Sequence, residues 1–166
     1  MIRICIAEDQ QLLRGALISI MELEEDLHIV GEAADGEQAW ALIEKEKPDV
    51  CILDIEMPYL SGLEVAAKIR QHNYPYKIMI MTTFAKAGYL QEAMALNIDA
   101  YVLKDEPIDF VIDAVRKMMK NEKVISHDLA ATLFMNEKNP LNEREINVLK
   151  LVKDGYTTNE ISKRLF

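Results

Sequence analysis

Residues 50–58 read Val-Cys-Ile-Leu-Asp-Ile-Glu-Met-Pro. The apolar run Val50–Leu53 suits a strand buried on both faces, and it leads straight into a carboxylate, Asp54. Working outward, Ile2–Ala7, Ile29–Ala34, Lys77–Thr82 and Ala100–Leu103 are further strand-like runs. Between them, apolar residues recur at helical spacing. Leu12, Leu13, Ala16, Leu17, Ile20 and Met21 make the first stripe, and Ala39, Leu42 and Ile43 a weaker second. Leu63, Ala66, Ala67 and Ile69 follow, then Ala93 and Met94. Phe110, Val111, Ala114, Val115, Met118 and Met119 make the last. Each stripe is expected to pack into a core. Ser61 and Glu64 have capping-box spacing, and Pro107 suits a first helical turn. Five β–α units in order imply an α/β fold, a parallel sheet with helices on both faces.

The chain has 166 residues, half of them hydrophobic, enough for one full domain plus a fragment. No stretch approaches the roughly 20 apolar residues of a membrane span. The start, MIRICIAEDQ, lacks a charged-then-apolar signal pattern, so a cytoplasmic protein is expected. Cys5 and Cys51 both lie in strand-like runs and read as small buried hydrophobes in a reducing compartment. No Cys/His spacing suggests zinc. Residues 1–120 hold 12 basic and 21 acidic side chains and carry the acidic balance. That argues against DNA binding by this part and leaves the remainder undecided.

In an open parallel sheet, ligands bind beyond the carboxyl ends of the strands. Glu8 and Asp9 follow the first strand, Asp54 ends the third, Thr82 and Thr83 end the fourth, and Lys104 follows the fifth. All should gather at one edge. Three carboxylates together repel one another unless a cation intervenes. A hard divalent ion such as Mg²⁺ takes oxygen ligands. With a lysine and a hydroxyl beside them, the set suits a phosphoryl group arriving at a carboxylate, with an Asp as nucleophile. Such chemistry is self-directed, so a conventional enzyme is not expected. A Gly-rich phosphate loop after the first strand is missing; Glu8-Asp9-Gln10-Gln11 stands there instead, which argues against a flavodoxin-like small-molecule binder.

These pieces resemble a bacterial two-component response regulator. The matching stretches are Ala7-Glu8-Asp9, Asp54-Ile55-Glu56-Met57-Pro58 with Gly62, Met81-Thr82-Thr83 and Tyr101-Val102-Leu103-Lys104. The resemblance implies a flavodoxin-like (βα)5 receiver over residues 1–120, with sheet order 2-1-3-4-5. It implies a phospho-acceptor at Asp54, and Mg²⁺ held by Asp54, Asp9 and the backbone carbonyl of Glu56, with Glu8 acting through water. Thr82 and Lys104 would contact the phosphoryl group. Tyr101 would be a switch aromatic that turns inward when Thr82 shifts. Pro107 lies three residues after Lys104 rather than beside it, so a cis bond at Lys104–Asp105 would not be a proline effect.

Residues 121–138 read as a linker, with a possible short helix over Ser126–Met135. Residues 139–166, NPLNEREINVLKLVKDGYTTNEISKRLF, resemble the first two helices of a LuxR-type helix-turn-helix. That points to the NarL/FixJ class; the stretches EDQQ and TTFAKAGY are similar to Des-type membrane-fluidity regulators. A recognition helix and a dimerising fourth helix would have to follow. The resemblance implies a sensor histidine kinase as donor and a phosphorylation-promoted homodimer. Pairing would use the fourth-helix/fifth-strand surface or the helix-one/helix-five surface. Promoter DNA is expected as partner of the complete protein, weakly or not at all for these residues. The alternative is a receiver that acts through protein contacts without DNA.

Overall fold

The computed structural model describes residues 1–83 and 86–135. Five β–α pairs follow in order: β1 (Ile2–Ala7) and α1 (Gln11–Met21), β2 (Leu27–Ala33) and α2 (Gly36–Glu46), β3 (Val50–Asp54) and α3 (Gly62–Gln71), β4 (Lys77–Thr82) and α4 (Ala87–Ala95), β5 (Ala100–Leu103) and α5 (Ile108–Met119). A short strand β6 (Val124–Ile125) and a helix α6 (His127–Met135) come after them. The strands form one sheet in the order β2-β1-β3-β4-β5-β6, parallel throughout. This is the expected flavodoxin-like arrangement with a sixth strand added at the β5 edge.

Alternation along each strand divides the core in two. Ile4, Ile6, Val50, Ile52, Met79 and Met81 face α1 and α5, and pack with Leu17, Met21, Val115 and Met118. Cys5, Ala7, Cys51, Leu53, Ile78 and Ile80 face the other way, against Ile43, Ile69, Leu90 and Leu129. Both cysteines are free and buried. Burial pushes the Cys5 thiol up to about 12 and the Cys51 thiol well above its ordinary value, so both stay protonated.

Local signals work as their chemistry suggests. The Ser61 hydroxyl accepts from Glu64 N at 3.1 Å and the Glu64 carboxylate accepts from Ser61 N at 3.3 Å, completing the capping box of α3. Pro107 sits one residue outside the expected place, as the N-cap of α5. All peptide bonds among the described residues are trans.

Three features differ from the sequence expectations. The first stripe is only partly core: Leu17 and Met21 are buried, but Leu12 is 89% exposed and Ile20 is exposed too. A helix beside a sheet buries a narrower arc than this wide stripe covers. Met118 belongs to the core, and Met119 lies on the surface. Residues 124–135, inside the stretch read as linker, are folded onto the domain. Ser126 N donates to Tyr101 O at 3.0 Å, and Leu103 N donates to Ser126 Oγ at 3.1 Å. Residues 136–166, including the helix-turn-helix resemblance at 139–166, lie outside the described residues.

Candidate functional site

The parallel sheet aims the carboxyl ends of β1, β3, β4 and β5 at one edge, and the expected residues meet there. Glu8 directly follows β1 and is 3% exposed; Asp54 ends β3 and is 3% exposed. Asp9, one residue on, is exposed. Glu8, Asp9 and Asp54 each offer a carboxylate oxygen within 4.8 Å of the others. Thr82 ends β4 and is buried, and its carbonyl accepts from Lys104 N at 2.8 Å. That bond fixes Lys104 just past β5. Its Nζ lies 2.7 Å from Glu8 Oε1 and 3.0 Å from Asp54 Oδ2. Apart from this ion pair, both Glu8 carboxylate oxygens and Asp54 Oδ2 are buried with no hydrogen-bond partner among the described residues. Glu56, on the loop after β3, donates its backbone N–H to Asp54 Oδ1 at 3.3 Å, while its side chain is exposed and lies 4.0 Å from Lys86 Nζ.

The electrostatics follow from this crowding. Burial pushes the Asp54 carboxyl up to about 8, with adjacent Glu8 reinforcing the rise and Lys104 opposing it. For Lys104, burial works against the charge, yet Glu8 and Asp54 outweigh it and hold the ammonium above its ordinary value. The lysine therefore stays charged. Orphaned buried carboxylate oxygens carry a desolvation cost. A hard divalent cation with an all-oxygen shell would relieve it. Glu8, Asp9 and Asp54 are the residues that fit such an ion.

The loop after Asp54 is held tightly. A Cβ on Gly62 would collide with the carbonyl of Asp54, so α3 starts against the backbone of the acid and only glycine fits. Tyr59 takes a left-handed conformation with φ 71°, turning the chain back toward α3.

The Response regulator receiver domain pattern matches residues 4–116. The chain belongs to the response-regulator receiver family. Among its relatives, the transcriptional regulatory protein YvfU of Bacillus subtilis (strain 168) is 45% identical over all of this chain and 82% of YvfU. The transcriptional regulatory protein DesR of the same organism is 44% identical over 99% of this chain and 81% of DesR. Among solved structures, a LuxR-family DNA-binding response regulator from Staphylococcus aureus superposes with a TM-score of 0.69 at 41% identity. That match covers 70% of this chain and 98% of the other. The resemblance to response regulators of the LuxR and Des types is thus borne out.

Tyr101 of this receiver is 3% exposed, and its buried hydroxyl has no hydrogen-bond partner among the described residues. Burial pushes its phenol above the usual range. In the sheet it pairs with Ile80 on one side and Ile125 on the other. The ring is therefore inward and roofed by the segment after α5. No motif marks Ser126 or Arg14. Arg14 reaches back from the first turn of α1, placing Nη1 2.5 Å from Glu8 O and Nε 3.3 Å from Glu32 Oε1. Its one sequence signal is a cation inside an apolar stripe, five residues after Asp9 in a junction of two acids.

Proposed function

We propose that this receiver accepts a phosphoryl group on Asp54 from a sensor histidine kinase, with Mg²⁺, and passes the change to a transcriptional output. The observation that carries the reading is the pair of buried carboxylates, Glu8 and Asp54, with Asp9 beside them and one charged lysine shared between the two.

The ion would be held by Asp9, Asp54 and the Glu56 carbonyl, with Glu8 acting through water. Bound there, Mg²⁺ supplies charge neutralisation for the transferred oxygens. Asp54 must be ionised to attack, and Lys104 favours that form. An Asp54 oxygen forms the new bond to phosphorus as the donor's bond to its leaving group breaks. Strand β3 and Gly62 fix the Asp54 backbone, so attack needs little reorganisation. The Lys104 ammonium would then pair with a phosphoryl oxygen, and the Thr82 hydroxyl would donate to another. Tyr101 would respond to the shift of Thr82 as the switch aromatic.

The exposed apolar residues Leu12, Ile20 and Leu23, with Met119 of α5, support the helix-one/helix-five surface as the face that pairs two phosphorylated copies. The names of YvfU and DesR support transcription control, and the resemblance of residues 139–166 to the start of a LuxR-type helix-turn-helix supports DNA as the output of the complete protein. A cytoplasmic setting accords with the two free buried thiols.

The test is incubation with acetyl phosphate and Mg²⁺, read by intact mass. We expect one added phosphoryl group on the parent, none on Asp54→Ala, and a shift toward dimer on the parent alone. Equal labelling of Asp54→Ala would refute the assignment.

A further inference from the structure

We infer that Arg14 is a positioning residue for the cation-binding carboxylates, holding the Glu8–Asp9 junction in register with Asp54. The inference rests on the reading of Glu8, Asp9 and Asp54 as a cation site.

Only three residues, Glu8 to Gln10, separate β1 from α1. Glu8 N–H is anchored on Ala33 O at 3.0 Å. Beyond that point the usual local anchor is missing. The N-cap of α1 is Gln10, which makes no side-chain capping bond, and the first turn holds no acid. Asp9 lies in this stretch with an exposed side chain, so its backbone decides where its carboxylate points.

Arg14 supplies the anchor from within the helix. Its guanidinium donates to Glu8 O at 2.5 Å and to Glu32 Oε1 of β2 at 3.3 Å. The side chain is only 12% exposed, against 55% for Glu32. One planar group thus ties the β1–α1 junction to the edge strand, and the backbone of Glu8 is held on both sides, its N–H by Ala33 O and its C=O by Arg14. A guanidinium makes both bonds in a fixed fork, whereas an ammonium is a point donor on a flexible stem. A charge-assisted bond to the carbonyl is stronger than a neutral one. Groups that orient metal ligands typically govern about 10–100-fold in metal affinity.

The experiment measures Mg²⁺ affinity by calorimetry on the whole chain, at a temperature where circular dichroism shows each variant folded. A role confined to stability moves the unfolding midpoint and leaves Mg²⁺ affinity of the folded protein alone. Arg14→Ala is expected to bind Mg²⁺ about tenfold more weakly. Arg14→Lys, which keeps the charge and loses the fork, should recover part of that loss. Glu32→Gln, which removes the charge that holds the fork, should also weaken binding; it stands in for Arg14→Ala should the latter fail to fold, and parent-like affinity there would then overturn the inference. Arg14→Ala binding within twofold of the parent, or Arg14→Lys binding as the parent does, would overturn the inference. Asp9→Asn and Asp54→Asn separate the two levels. If they lose Mg²⁺ and Arg14→Ala does not, the positioning role alone fails. If they bind as the parent does, the cation site fails and the role falls with it.

Discussion

Two buried aspartates, Asp54 and Asp99, sit at opposite ends of the same sheet, and their surroundings differ in kind. Asp99 precedes β5 and is 7% exposed. Its Oδ2 accepts from Ile78 N at 2.9 Å and from Arg70 Nη2 at 3.1 Å, and Lys77 Nζ lies 3.9 Å from Oδ1. Arg70 in turn donates to the carbonyls of Leu96, Tyr76 and Asn97, knitting the ends of α3 and α4 to β4. Asp54 is as deeply buried, yet two acids stand beside it, one cation is shared with Glu8, and Oδ2 has no hydrogen-bond partner among the described residues. The first carboxylate closes a network; the second leaves one open. Burial alone does not mark a functional acid, but burial with like charge and orphaned oxygens does.

The sharpest way to break this contrast is to remove each carboxylate in turn. Asp99→Ala strands Arg70, Lys77 and Ile78 N. Arg70 and Lys77 keep some solvent access, so the loss is expected at about 2–3 kcal/mol by urea unfolding, below the value for a fully buried pair. Asp54→Asn, in cation-free buffer, removes repulsion instead and is expected to stabilise by about 1 kcal/mol. A loss on Asp54→Asn as large as that on Asp99→Ala would erase the distinction.

The pH dependence sharpens it further. Asp54 titrates higher in the folded chain, near 8, than in the unfolded chain, near the usual carboxylate value of about 4. Between these values the native state holds a proton that the unfolded state has released. Stability contributed by this group is therefore fully present below about pH 4 and is lost as pH rises through about 8. In cation-free buffer the parent should lose stability across that window, and Asp54→Asn should flatten the slope at this group. An unchanged slope would contradict the crowding.

The smallest effect belongs to a third setting. Asp26 and Arg116 pair on the surface at 2.8 Å, and the Arg116 hydrogen bond holds the Asp26 carboxyl below its usual value. The sign is opposite to that of Asp54: any gain exists above the unfolded value and fades as pH falls through the lowered one. Solvent access to both side chains and salt screening leave little of it. Asp26→Asn should leave the unfolding midpoint within error at physiological ionic strength.

The same contrast shows what the sequence made legible. Asp54, Glu8, Asp9, Thr82 and Lys104 were readable because each stands where an apolar run stops, and a parallel sheet brings such stops to one edge. Ser61 and Glu64 were readable because a cap is local. Asp99 carries no such mark: its partners at Arg70, Lys77 and Ile78 are set by the packing of α3 and α4. Strand β6 escaped because two residues show no period; it is defined by Val124 N donating to Asp99 O and Ser126 N donating to Tyr101 O. Leu12 and Ile20 looked like core because spacing reports a helix face without saying what covers it. Arg14 escaped because its bond to Glu8 exists only once the helix has turned back over the strand end.

The central claim is that the open network at Asp54 is completed by a divalent cation. Thermal unfolding with and without Mg²⁺ tests it most directly. For the parent, Mg²⁺ at about a hundred times its dissociation constant should add about 2.7 kcal/mol of stability; Asp54→Asn should lose most of that gain, and Asp99→Asn should keep it. No gain on the parent, or an equal gain on Asp54→Asn, would contradict the account.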